Sequence, residues 1–289
     1  MNLFVRSQYQ LRTDILTMLD DTSNARWTDV QVYTAINQAL AMWGGRVLIP
    51  HLYQPAGYKW NNGTYDYTLP VWMDEQYIQP QVRRVVPYIN YPQLADGTET
   101  WVDVPGWSIE PTTSNGRKLR FETAPYNQDA RILYWSQPNQ IPTTVPTLSA
   151  TISNGTATTF TLTGANYTVP FFGWYKIEDE FLTAEYSSRT TTTVFANATR
   201  GEFNTYATSH TSATPVYFCI AATDERLFVQ LHDQAMAILH RMRFGLAAPE
   251  ERQVHSQMIQ LYQSQADRFW RSWTPQRPIR SRLTRLGLL

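Results

Sequence analysis

The chain has 289 residues with 24 basic and 24 acidic side chains, and so no formal net charge. That length suits one large domain or two ordinary ones, and the neutral balance argues against general nucleic-acid binding, which needs a basic footprint. Charged residues make up 17% and hydrophobic residues 43%, where an average soluble domain is roughly 25% charged; the surface is polar but uncharged, or covered by partners.

The first helix is expected from about Ser7 to Asp20, with Leu11, Ile15, Met18 and Leu19 on one face. Asp20-Asp21-Thr22-Ser23-Asn24 breaks it. In the second helix, Thr28 and Gln31 have capping-box spacing, Trp27 is the staple, and Val32, Ile36, Ala39, Leu40 and Trp43 form the apolar face before Gly44-Gly45. From Leu48 to Gln137 the period falls to two. Asn62-Gly63 predicts a hairpin between Tyr58, Trp60 and Tyr65, Tyr67. Further strands are expected around Val82–Val86, Leu119–Glu122 and Arg131–Trp135, with Asn115-Gly116 turning into the second of these, giving a small antiparallel sheet.

Pro138, Pro142 and Pro146 mark a linker. Leu148 to Phe218 is threonine-rich and alternating, and reads as an independent β module with an Asn154-Gly155 turn. Helices resume after Asp224-Glu225, with Leu227, Phe228, Leu231, Ala235, Ile238, Leu239 and Met242 as the stripe and Gly245 as the stop. Pro249 opens the last helix, whose expected buried face is Val254, Met258, Leu261, Tyr262 and Phe269. Two helices open the chain and two close it, so the four are expected to pack together. The resulting expectation is an α+β fold: an antiparallel helical bundle with a small antiparallel sheet, formed by 1–146 and 219–273, carrying an inserted all-β domain of barrel or sandwich type at 147–218.

Residues 274–289 form a tail with four arginines, Arg277, Arg280, Arg282 and Arg285, and no acid. Ile279, Leu283, Leu286, Leu288 and Leu289 are interleaved with them. Three readings stand: a solvated tail, an arm that orders on a protein partner, or an arm that meets phosphate. The five aliphatics favour a protein groove.

Signatures of chemistry are sparse. No phosphate loop, Gly-x-Ser-x-Gly or His-Glu-x-x-His motif occurs. The one cysteine, Cys219, lies in a strand-like run and reads as a buried small hydrophobe. His232 and His240 are eight residues apart on one helix, about 12 Å along its axis and too far for one ion; His255 on the next helix can approach one of them. Glu178-Asp179-Glu180, with Glu185 nearby, reads as a solvated or partner-facing edge in preference to a Ca²⁺ site. No catalytic, cofactor or metal site is assigned, and the chain is read as a non-enzyme. Met1 to Asp20 lacks the apolar core of a signal peptide, no run approaches the ~20 apolar residues of a membrane span, and a single cysteine forms no internal disulfide, so a reducing cytoplasm is expected.

Two stretches carry a family likeness. Leu19-Asp20-Asp21-Thr22, then Arg26-Trp27-Thr28-Asp29 and Asn37-Gln38-Ala39-Leu40, resemble the N-terminal helices of head-to-tail connector (adaptor) proteins of tailed bacteriophages. Tyr67-Thr68-Leu69-Pro70 and Val82-Arg83-Arg84-Val85 look like that family's strand region. Thr199-Arg200-Gly201, then Thr205, Ala207, His210 and Val216, resemble the end of a β module of phage structural proteins. The inserted module is a departure from the small adaptors. The resemblance implies a structural virion protein at the head-to-tail junction. It would form a homo-oligomeric ring, commonly a dodecamer, beneath the portal protein. Its C-terminal segment would dock on the portal through Arg277, Ile279, Arg280, Arg282, Leu283, Arg285, Leu286, Leu288 and Leu289. It would meet tail or nozzle proteins on the other side, with packaged DNA passing through the ring and no membrane involved. The alternative from another class is a tail-associated protein that binds a receptor or carbohydrate, supported by the ten tryptophans and seventeen tyrosines.

Overall fold

The computed structural model describes residues 3–53, 59–61, 63–69, 78–86, 98–104, 106–111, 117–123, 128–163, 172–189 and 192–273. Two compact units divide the chain. One is Met1–Val47 with Pro138–Pro275, and the other is built on Leu48–Gln137.

The first unit opens on a strand, β1 (Phe4–Ser7), which runs straight into α1 (Gln8–Met18) and then, after a turn, α2 (Asp29–Trp43). Ser7 ends the strand and caps the helix, its Oγ accepting from Gln10 N–H at 3.2 Å. Leu11, Ile15 and Leu16 face inward while Met18 is 52% exposed, so Leu16 takes the place expected for Met18.

Five further strands build this unit's sheet: β10 (Phe160–Thr163), β11 (Phe172–Ile177), β12 (Glu180–Arg189), β13 (Thr192–Glu202) and β14 (Val216–Ala222). All pairings are antiparallel, in the order β1-β14-β11-β12-β13-β10. The chain then closes with α3 (Arg226–Phe244) and α4 (Pro249–Ser272). Along β14 the alternation is explicit: Val216, Phe218, Ile220 and Ala222 enter one buried cluster. Phe160, Tyr175, Phe195 and Phe218 form its aromatic centre, Phe160 stacking on Phe195 at 4.8 Å and Tyr175 meeting Phe218 edge-on at 4.9 Å.

That cluster overturns the expected fold class. Leu11, Ile15, Ile36, Leu227 and Leu231 from the helices and Leu162, Tyr175, Leu182 and Ile220 from the strands belong to the same core. Residues 147–218 are not a β domain inserted into a helical bundle. They are the sheet against which the helices bury their apolar stripes. The physical reason is that α1 to α3 have wide apolar faces and the sheet has one; each is the other's cover. Contacts across this joint are direct: Gln8 Oε1 accepts from Phe218 N–H at 3.0 Å, and Tyr9 packs on Tyr217. β1 pairs with β14 from Phe4↔Ala222 to Ser7↔Cys219, so the sheet begins at the N-terminus.

The last helix departs from expectation in the same direction. Val254 and Leu261 are 53% and 47% exposed. Ala266 is buried, and Tyr262, Phe269 and Trp270 pack on the core. α4 lies on α3 as an outer layer.

The second unit contains β2 (Ile49–Tyr53), β3 (Lys59–Trp60), β4 (Asp66–Leu69), β5 (Ile78–Val86), β6 (Thr98–Asp103), β7 (Trp107–Pro111), β8 (Arg117–Phe121) and β9 (Gln128–Ser136). They form one sheet in the order β2-β9-β5-β6, with β3 also on β9, and a three-stranded sheet β4-β8-β7. Trp60, Leu69, Ile78, Leu119, Phe121, Ala130, Ile132 and Tyr134 are its own core. At the position of the predicted hairpin, Thr64 N–H donates to the Asn61 carbonyl at 3.1 Å and Gly63 sits at φ +78°. The strands on its two sides do not pair: β3 takes β9 and β4 takes β8. Asn62, Tyr58, Asn115 and Gly116 lie outside the described residues.

Candidate functional site

The β11–β12 hairpin turns through Glu178-Asp179, with Glu178 in the left-handed region at φ +52°, and delivers Glu180 at the first position of β12. Arg200 comes from β13, beside Gly201, whose φ is +71° and whose absent Cβ would lie 2.9 Å from the Thr205 carbonyl oxygen. A loop then returns His210 to a bridge with Ile152. These three side chains meet. Glu180 accepts from Arg200 Nε, from Arg200 Nη2 at 2.6 Å, from Gly201 N–H at 3.2 Å and from Thr208 N–H at 3.1 Å. His210 lies with Nε2 2.8 Å from Glu180 and Nδ1 2.8 Å from Glu178. Arg200 also donates to the carbonyls of Thr208 and Asn154.

The side chains of Glu180, Arg200 and His210 are 1%, 5% and 1% exposed. Burial alone would raise the Glu180 pKa, but donors from Arg200, Thr208 and His210 hold it down at about 2. The expected solvated acidic edge is therefore corrected at Glu180, whose carboxylate is consumed by internal donors. With both oxygens saturated and no open face, the cluster fastens β12, β13 and the 205–210 loop together. The Thr199-Arg200-Gly201 and His210 likeness seen in the sequence thus falls on a packing device.

The other family-like stretch builds the α1–α2 joint. Asp21 is 3% exposed and accepts from the N–H groups of Ala25, Arg26 and Trp27, at 2.8 Å for the last. Thr28 and Gln31 form the reciprocal capping box. Arg12 reaches from α1 to Asp29 at 2.7 Å. Trp27 is buried, with Arg243 over its face at 5.2 Å and His240 against its edge at 6.0 Å. Asn37 exchanges two hydrogen bonds with the backbone of Ile141. The residues of the likeness fix the angle between helices and anchor α3 and the following linker.

A groove of about 510 Å³ lies between α1 and the start of α3, lined by Arg6, Asp14, Thr17, Met18, Glu225, Arg226, Phe228, Val229 and His232. Arg6 bridges Asp14 and Glu225 and stands over the Phe228 ring at 5.8 Å. Neither ring nitrogen of His232 has a hydrogen-bond partner, though its side chain is only 7% exposed; Asp14 Oδ2 is 3.9 Å away. Burial lowers its pKa, with Asp14 opposing. The other helical histidines do meet, His240 Nδ1 lying 2.9 Å from His255 Nδ1. Cys219 is buried in β14, where burial raises its thiol pKa far above the usual range, so it is no nucleophile at neutral pH.

Among the described residues no group of three or more His, Cys, Asp or Glu side chains is placed to hold a metal, and no helix is long and apolar enough to cross a membrane. The nine expected docking residues, Arg277, Ile279, Arg280, Arg282, Leu283, Arg285, Leu286, Leu288 and Leu289, lie outside the described residues.

Fold and sites together define an α+β chain of two units, with buried polar joints and an open groove between α1 and α3. No family profile, curated protein or solved structure matches it.

Proposed function

We propose that this chain is a structural subunit of the head-to-tail junction of a tailed bacteriophage, forming a ring beneath the portal and docking on it through residues 274–289. The observation that carries the reading is the α1–α2 joint. Leu19-Asp20-Asp21-Thr22 and Arg26-Trp27-Thr28-Asp29, the residues that resemble phage adaptors, are the ones that cap, staple and tie the two helices. The open groove and the exposed Val254 and Leu261 on α4 offer surface for neighbouring copies. The arginine and leucine tail supplies charge-assisted bonds and apolar burial to a protein groove.

Electron microscopy of the purified protein, alone and mixed with portal, tests this. A closed ring and a portal complex are expected, and deletion of 275–289 should abolish portal binding while leaving a folded subunit. A stable monomer that ignores portal overturns the reading.

One observation favours the second reading, a carbohydrate-binding tail protein. Phe203 and Tyr206, 42% and 87% exposed, stand on the loop after β13 as an open aromatic surface. Glycan binding by the full chain, lost in Tyr206→Ala, would support it. The full chain is required because residues 147–218 share their core with the helices.

A further inference from the structure

We propose that His240 and His255 form a divalent transition-metal site that cross-links α3 and α4. His240 lies near the end of α3 and His255 in the second turn of α4, and the short connection between the helices brings Nδ1 to within 2.9 Å of Nδ1. The His240 ring is held before any ion arrives: Tyr262 stacks on it at 5.8 Å, and Trp27 meets it edge-on at 6.0 Å.

The separation selects the kind of metal. An ion held by both nitrogens at about 2.1 Å would see them about 90° apart, whereas a tetrahedral pair needs them about 3.3 Å apart. A right-angled imidazole pair belongs to tetragonal or octahedral ions, Cu²⁺ or Ni²⁺, before Zn²⁺. Without metal, 2.9 Å is the length of an N–H···N hydrogen bond, with one ring protonated at Nδ1 and the other at Nε2. On binding, the donating ring moves its proton to Nε2, both Nδ1 lone pairs face the ion, and no proton leaves the pair. Water completes the shell. The site is independent of the proposed ring and portal roles.

Copper(II) titrated into the full-length protein should give an electron paramagnetic resonance spectrum with two-nitrogen coupling at one ion per chain. His255→Asn should lose that coupling and bind at least tenfold more weakly. Ni²⁺ should raise the melting temperature of the wild type reversibly with EDTA, and leave that of the variant unchanged. A variant-free check guards against misfolding: Cu²⁺ should broaden the ring resonances of His240 and His255 and spare those of His210. No copper binding by the wild type, an unchanged spectrum in His255→Asn, or broadening centred on another histidine would each overturn the proposal.

Discussion

Glu180 joins three stretches of chain through one carboxylate, and its removal has a calculable direction. Glu180→Ala leaves the Arg200 guanidinium, 5% exposed, without its counter-charge. Breaking a buried pair from one side costs about 3–5 kcal/mol, and urea unfolding should report a loss of that size. The same carboxylate sets an acid limit. Its folded pKa of about 2 lies below the ordinary 4.5, so the unfolded chain takes up a proton that the folded chain refuses. Its stabilisation is complete above about pH 5 and disappears as pH falls towards 2. Asp233 works in the opposite sense. Burial raises its pKa from 3.8 to about 6, so above that pH the folded state carries a charge it resists. Asp233→Asn should melt above the wild type at pH 7.5, and the gap should shrink by pH 5 and close only as pH nears 3.8. A variant that melts lower at both values would refute this account.

Among the elements, β1 is one of the strands that sequence reading missed, with β2, β6 and β7. Phe-Val-Arg-Ser is too short to display a period, and it runs without a break into a helix. Only its partner reveals it, since β14 lies more than two hundred residues away in sequence. Deleting residues 1–7 should uncover the edge of β14 and remove the α1 cap, and the amides of Cys219–Ala222 should lose protection from hydrogen exchange. If their protection were unchanged, the strand would be decoration. By contrast the capping box at Thr28 and the stripes of α2 and α3 were legible, because caps and helical periods are local. α4 was half legible. Its sequence holds two apolar stripes, and which one faces α3 is decided by Tyr262, Ala266 and Phe269, not by hydrophobicity alone. The Glu180–Arg200–His210 cluster left traces as an acidic run and a Thr-Arg-Gly turn. Their convergence was not readable, because it depends on the register of three strands.

For the whole molecule, the partition of the chain changes which pieces can stand alone. Composition pointed to 147–218 as the separable part, since threonine-rich alternation there contrasts with the flanking helices. Yet the inner face of those strands is covered by α1, α2 and α3 within one cluster. Isolated, that segment would expose Tyr175, Phe195 and Phe218 and lose β1 from its edge; burial of each large apolar side chain is worth about 1.5–3 kcal/mol, and a small domain is only marginally stable. The segment 48–137 has its own core around Trp60, Phe121 and Ile132, with the Trp60 and Phe121 rings 5.1 Å apart. Lys118 and Arg120 pair with Asp66 and Glu110 across the β4-β8-β7 face. Expressed separately, residues 48–137 should give dispersed amide resonances and a cooperative melt, and residues 147–218 should give neither. The reverse result would restore the inserted β domain and remove the shared core as the organising feature of the fold.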